Sequence, residues 1–339
     1  MRISQLGEFP LIDRIARIAA VEREDVIVGI GDDVAVLEGS GDDWFLAKVD
    51  SQVEGVHYLK DAISPRQLGR KALAVNLSDI AAIGGQPLYA LVSLALADDT
   101  EVVWVDELYR GLREEGDRYG VAVVGGNMAR SPGAAFVDVF VLGRVRQEHV
   151  LLRSGARPGD QVLVTGRLGD SAAGLQLLLH PDRTPGLSPE ERQMLLDRHF
   201  TPTPRLREAS VVARLGGATA GIDLSDGLSS DVGHICERSE VGVRLWADRL
   251  PISAATHKVA RAGDRTPYAL ALEGGEDYEL CFTAPPGRAA ALSAAIEAET
   301  GTPATVVGEI LRSDLGQTLV LPDGSEVELE AKGWQHWSK

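Results

Sequence analysis

Cysteine is nearly absent, with 2 in 339 residues, Cys236 and Cys281, far apart in the chain. That scarcity excludes a disulfide framework and a Cys-spaced zinc site, and leaves two buried thiols in a reducing cytosol as the expectation. Aromatic residues make up only 5% against 44% hydrophobic residues, so the cores must be built from Ala, Val, Leu and Ile. Positive charge is short as well: 34 Lys and Arg face 50 Asp and Glu, a formal net charge of −16. A general nucleic-acid binder carries a basic face, so no nucleic-acid partner is expected. Long apolar runs are missing. The most apolar stretch, 72–97, is broken by Asn76, Asp79, Gln86 and Pro87 and cannot span a bilayer. The N-terminus has no signal-peptide apolar core, so a soluble, cytoplasmic chain with no membrane partner is expected. Neither a G-x-x-x-x-G-K-[ST] loop nor a protein-kinase signature is present.

What remains is a chain long enough for two domains. Short β-rich runs alternate with helical stretches, a mixed α/β (α+β) pattern. Strands are expected at 26–30, 45–49, 89–96, 121–124 and 136–143. A helix opens at Ser64-Pro65, a cap followed by Pro in the first turn, and stops at Gly84-Gly85; a second runs from Thr100 to near Gly120. The turn-rich segment 153–160 precedes a fresh strand, which divides the chain at 149/150. The second half repeats the pattern, with strands at 161–165, 219–223, 241–246, 278–283, 304–309 and 317–321. Helices are expected near 171–180, 188–198, 205–215, 227–238, 253–263 and 287–299.

Several acidic constellations point to chemistry. Asp32 and Asp33 follow Gly29-Ile30-Gly31 at a strand end, where adjacent carboxylates repel unless a cation lies nearby. A hard cation such as Mg²⁺ takes oxygen ligands of this kind; a solvated turn is the plain alternative. Asp79 shares a helical stripe with Leu68, Ala72 and Val75, while Leu73, Leu77 and Ile80 cover the other side. A carboxylate in a helix buried all round needs a partner or a metal, and Lys71 or Arg70 are the mundane partners. Asp50 closes the strand 45–49, with His57 beyond it. Gly221-Ile222-Asp223-Leu224-Ser225-Asp226-Gly227 puts two carboxylates at another strand end; Ser225 or Asp226 would cap the next helix, a task Asp223 is not needed for. Gly274-Gly275-Glu276 precedes a further strand. Divalent cations between carboxylates and phosphates would reconcile an acidic chain with phosphate chemistry.

In order, GIGDD, VDSQVEGVHY, KALAVNLSDIAAIGGQPL, VVGGNMARSPG, RSGARPGD, VTGRLGDSAAGL, TPTPRL, GIDLSDGLSSDVGHI and ALEGGEDYELCFT closely resemble the thiamine-monophosphate kinase family, from about Gly7 to the C-terminal GWQHW. The resemblance implies ATP-dependent phosphorylation of thiamine phosphate to thiamine diphosphate. It also implies a two-domain PurM-like (aminoimidazole-ribotide synthetase) fold, with an N-terminal sheet domain pairing across a homodimer and a larger C-terminal α/β domain. ATP and Mg²⁺ would lie in the cleft between the domains. By position, Asp33, Asp50, Asp79, Asp223 and Asp226 match metal ligands; Gly126, Asn127, Arg153 and Ser225 match nucleotide-contacting positions; His57, Glu276 and Trp334 match positions that hold thiamine phosphate. In-line attack by an already anionic phosphate, without a covalent enzyme intermediate, is the implied route.

Two places depart from the pattern. Lys48-Val49-Asp50 stands where hydroxyl residues usually precede the Asp, and Asn127 replaces a usual Asp. The departures read as fewer Mg²⁺ ions, with Lys48 touching the ATP phosphates as a fixed cation; alternatively Lys48 points outward and catalysis is impaired or redirected. Other PurM-like enzymes stay open. A selenophosphate synthetase would want a reactive Cys near the N-terminus, and a hydrogenase-maturation enzyme a C-terminal Cys, whereas the tail ends Trp337-Ser338-Lys339. A degenerate member that binds without turnover is the third reading.

Overall fold

The computed structural model describes residues 2–19, 23–183, 186–334 and 336–337; Ser338 and Lys339 lie outside them. Residues up to Arg146 contribute six strands: β1 (Val26–Val28), β2 (Ala35–Leu37), β3 (Asp43–Val53), β4 (Gln86–Leu96), β5 (Ala122–Arg130) and β6 (Phe136–Arg146). They form one sheet in the order β1-β2-β3-β6-β4-β5, antiparallel except for the β4–β5 pair. Alternation along β3 and β6 sends Leu46, Val137, Val139 and Val141 into a core under the helices Pro65–Ala82 and Val102–Tyr119. Phe45, Val49, Tyr89, Leu91, Phe136 and Leu142 remain on the outside, each between 38% and 55% exposed.

The second sheet holds β7 (Gln161–Thr165), β8 (Ala220–Asp223), β9 (Val241–Trp246), β10 (Leu280–Ala284), β11 (Ala304–Arg312), β12 (Gln317–Val320) and β13 (Glu326–Glu328). Its order is β13-β12-β9-β11-β7-β10-β8, with only β12–β9 parallel. Val162 and Val164 face a core closed by the Leu228–Ser239 helix, while Leu163 faces one closed by Leu206–Leu215 and Pro286–Thr300. Cover on both faces explains why the middle of β7, Val162-Leu163-Val164, is apolar without alternation.

The expected helix at 64–83 is realised as Pro65–Ala82, with Ser64 and Gln67 forming a reciprocal cap. Of its 18 residues 14 are buried, because one side packs on the first sheet and the other on the second domain, where Ala81 and Ala82 join Leu280 and Phe282. Strand lengths differ more from expectation. β3 runs on through Asp50 to Val53, so Asp50 is mid-strand, opposite Val139, rather than closing the strand. Polar Asp50, Ser51 and Gln52 hid that continuation. β5 likewise continues past Gly125-Gly126 to Arg130. The 278–283 strand begins only at Leu280, since Glu276 and Tyr278 have φ of 65° and 50°, outside strand geometry.

Candidate active site

A cleft of about 1150 Å³ opens between the two domains, lined by Asp33, Lys48, Asp50, His57, Lys71 and Asp79 on one wall and Arg153, His199, Asp223, Ser225, Asp226 and Glu276 on the other. The Pro65–Ala82 helix spans it. Lys71, Val75, Ser78 and Asp79 recur at helical spacing on the stripe facing the second domain, and this one stripe supplies both charged corners of the cleft.

At the first corner, carboxylate oxygens of Asp33, Asp79 and Asp223, all buried, lie within 4.8 Å of one another. Lys48 points into this group from β3, its Nζ 2.8 Å from Asp79 Oδ1 and 3.5 Å from Asp50 Oδ2. Arg153 binds Asp33 through Nε at 3.1 Å, and Ser78 Oγ donates to Asp223 Oδ2 at 2.6 Å. Thus Lys48, and neither Lys71 nor Arg70, partners Asp79; Arg70 instead holds Glu115 at 3.0 Å. The corner remains short of positive charge. Burial, and then Asp33, push Asp223 up to about 7, and burial raises Asp79 well above the usual carboxylate range despite Lys48. Asp226 is pushed up to about 7 by burial and by Glu8. Burial opposes the charged form of Lys48, but Asp50 and Asp79 outweigh it and hold the ammonium charged. Among the described residues, Asp33 Oδ2 is buried without a hydrogen-bond partner. An all-oxygen set with an orphaned acceptor and protons held for want of cations fits a hard divalent ion.

At the second corner Glu276 Oε1 lies 2.8 Å from Lys71 Nζ, and Oε2 lies 3.2 Å from His199 Nδ1. The two Gly-rich motifs meet behind it. The Glu276 N–H donates to Ser225 O at 2.7 Å, and a Cβ on Gly275 would come within 2.6 Å of that same oxygen. Gly275 is therefore required by the close approach of the two loops. Neither Ser225 nor Asp226 caps the Leu228–Ser239 helix. Asp231, inside its first turn, accepts from Gly227 N at 3.0 Å and Asp226 N at 3.3 Å, which leaves the Asp226 carboxylate on the cleft wall.

His57 lines the cleft, but its Nδ1 accepts from Val53 N at 3.1 Å, so Nε2 carries the proton of the neutral ring. Trp334 is 52% exposed and is tied to Asp226 O through its backbone N–H at 3.0 Å. Gly126 and Asn127 are not brought to this cleft. Both lie on the edge strand β5, opposite Val92 and Ser93. Gly126 shares the sheet row of Asp50 at three strand spacings, about 14 Å away. Its lack of a side chain has a packing reason, since a Cβ would fall 1.8 Å from Val92 O. Sequence reasoning missed His199, Ser171, Asp231 and the pairing of Lys71. For Lys71 the signal was available: it lies two turns before Asp79 on the same buried stripe.

Residues 31–145 match the family model "AIR synthase related protein, N-terminal domain" and residues 157–319 its C-terminal counterpart. The thiamine-monophosphate kinase of Escherichia coli K12 is 38% identical over 332 residues, 98% of each chain. The Bacillus subtilis enzyme of the same name is 34% identical, covering 98% of this chain and all of its own. The chain belongs to the thiamine-monophosphate kinase family. Among solved structures, "AaThiL complexed with AMPPCP and TMP" superposes with a TM-score of 0.84 at 36% identity, covering 99% of both chains. The two-domain PurM-like fold expected from the sequence is thus the fold of this kinase family. No helix among the described residues is long and apolar enough to cross a membrane.

Proposed function

We propose that the inter-domain cleft transfers the γ-phosphoryl group of ATP to thiamine phosphate, giving thiamine diphosphate and ADP. The observation that carries this reading is the buried Asp33–Asp79–Asp223 cluster, built from both domains and opening into a cleft of about 1150 Å³. Asp33, Asp79 and Asp223 would hold Mg²⁺, with Asp50 and Asp226 at its margin. When bound, Mg²⁺ neutralises the charge between two repelling phosphates. Lys48 and Arg153 supply fixed positive charge beside the transferred group, Lys48 by holding Asp79 and Asp50 in place. The acceptor phosphate has a second pKa of about 6 and is already anionic at neutral pH, so no side chain has to act as a strong base. Alignment is the main task of the protein. His57, with its proton on Nε2, Trp334 and Glu276 line the acceptor side, and Ser225 and Arg153 the nucleotide side.

A second copy of this chain is the proposed partner. The support is the uncovered apolar outer face of the first sheet, Phe45, Val49, Tyr89, Leu91, Phe136 and Leu142, a patch of a kind that marks interaction sites. Gly126 and Asn127 lie on the edge strand of this same sheet, so they would meet nucleotide only in the assembled dimer. Leu91→Glu should convert a dimer to a monomer in light scattering; an unchanged mass rules the face out. A cytoplasmic site of action fits two unpaired, buried thiols and a nucleotide co-substrate.

Coupled ADP-release kinetics test the reaction. Purified protein with ATP and Mg²⁺ should release ADP only when thiamine phosphate is added, and thiamine diphosphate should accumulate in step. ADP release indifferent to thiamine phosphate, or none at all, overturns the reading.

A further inference from the structure

Lys71 is among the largest fully buried side chains of the molecule, 1% exposed. An ammonium so placed is stable only with a partner, and Glu276 comes to it across the domain boundary at 2.8 Å. His199, itself buried, approaches the second oxygen of the same carboxylate at 3.2 Å, with Ser171 Oγ 3.2 Å from the same ring nitrogen. Burial and Lys71 depress His199 to about 4, so the ring is neutral. Its Nδ1 has Ser171 Oγ as hydrogen-bond partner and packs 3.2 Å from Glu276 Oε2. Burial pushes Glu276 up, but Lys71 outweighs it and holds it below the usual range. Its backbone is fixed too, at φ 65°. A long side chain persists in that left-handed region only where its surroundings determine it. One oxygen of this carboxylate is therefore salt-bridged, the other packs against His199 and the main chain is fixed, while a quarter of the side chain, 25%, stays exposed to the cleft.

We propose that Lys71 and His199 are positioning residues for the acceptor: they hold Glu276 as a pre-aimed anion that receives the cationic, amino-bearing ring system of thiamine phosphate. This rests on the functional reading above. The acid corner lies about 12 Å along the same helix, so ring and phosphate are addressed by opposite ends of one rigid element. A carboxylate already oriented loses little freedom when the substrate arrives. One released from Lys71 must be reordered at each binding event.

Steady-state kinetics on Lys71→Met, His199→Ala, Glu276→Gln and Lys71→Met/Glu276→Gln test the proposal, with melting curves for each. Lys71→Met and His199→Ala should each raise KM for thiamine phosphate by about tenfold, with KM for ATP changing less than about twofold. In the Glu276→Gln background, Lys71→Met should add less than about twofold, because no carboxylate is left to position. That double variant contains no unpaired buried charge, so it folds even where Lys71→Met alone does not. Equal KM increases from Lys71→Met with and without Glu276, or unshifted KM in His199→Ala, overturn the proposal while the functional reading stands. Absence of thiamine-phosphate-dependent turnover in the unsubstituted enzyme overturns both.

Discussion

The two ends of the cleft are built on one helix, two turns apart, yet their charge balance is opposite. Among the described residues, Asp33, Asp50, Asp79 and Asp223 at the Asp79 end face only Lys48 and Arg153, and one buried acceptor, Asp33 Oδ2, has no partner. At the Lys71 end a single carboxylate, Glu276, has an ammonium and a neutral imidazole to itself. Burial raises Asp79 and Asp223, while Glu276, a quarter exposed to the cleft, ends up lowered. The number of compensating cations, together with that exposure, decides whether a carboxylate waits for an incoming cation or stands as a finished anion. Exchanging charge for amide at each end should break the comparison most severely. Asp79→Asn is expected to lower kcat by roughly 10²–10³, the cost of removing charge stabilisation at the transferred group, with little change in KM for thiamine phosphate. Glu276→Gln should act on that KM and spare kcat. Matching kinetic signatures in the two variants would show that the ends do not divide the work.

Lys48 offers a finer cut, since among the described residues it alone fills part of the deficit from the first domain. Removing it in Lys48→Met leaves the same carboxylates with one cation fewer. A unit charge at such separations is worth about 1–4 kcal/mol between aqueous and protein-surface dielectrics, so Mn²⁺ should bind the nucleotide-free variant at least about fivefold more tightly by calorimetry. Lys71→Met, charged to the same degree but at the other end, should leave Mn²⁺ affinity within about twofold. Unchanged Mn²⁺ binding in Lys48→Met would remove Lys48 from the cation balance.

Much of this architecture was legible because local rules and global packing agree there. Ser64-Pro65 and the apolar positions around Asp79 specify a helix buried all round, and Asp79 was recognisable as a carboxylate needing a cation. The identity of that cation was not, because a partner 31 positions away on another strand leaves no local trace, whereas Lys71 and Arg70 sit close in sequence. Asp50 was legible as a site residue but misplaced at a strand end: its strand continues through polar residues that are tolerated where one face borders a cleft. Ser225 and Asp226 look like cap residues by type and position. Asp231 displaces them because Gly227, at φ 116°, turns the chain so that a carboxylate one turn inside the helix reaches back to the first amides. Gly126 and Asn127 share their motif with no cleft residue in this chain, since they belong to an edge strand whose place is fixed by pairing with β4.

The smallest effect should appear in stability, and it tests the charge surplus without any turnover. Asp32, pushed up to about 6, and Asp223 and Asp226, pushed up to about 7, have folded values above the unfolded ones, near 3.9 for Asp. Between those limits the folded state binds more protons than the unfolded one, so stability falls as pH rises. What these groups contribute is fully present below about pH 4 and lost by about pH 7. A divalent ion displaces those protons and compensates the charge that replaces them, so its stabilisation should follow the same window. Mg²⁺ is expected to raise the melting temperature by roughly 2–4 °C near pH 8 and by almost nothing near pH 5. Asp223→Asn should flatten that difference, because it removes a shared ligand and one of the surplus charges. Glu276→Gln should leave it intact, because its carboxylate is already balanced by Lys71. A magnesium shift of equal size at both pH values would mean that the acid corner is not held protonated in the absence of metal, and the contrast between the two ends would then rest on geometry alone.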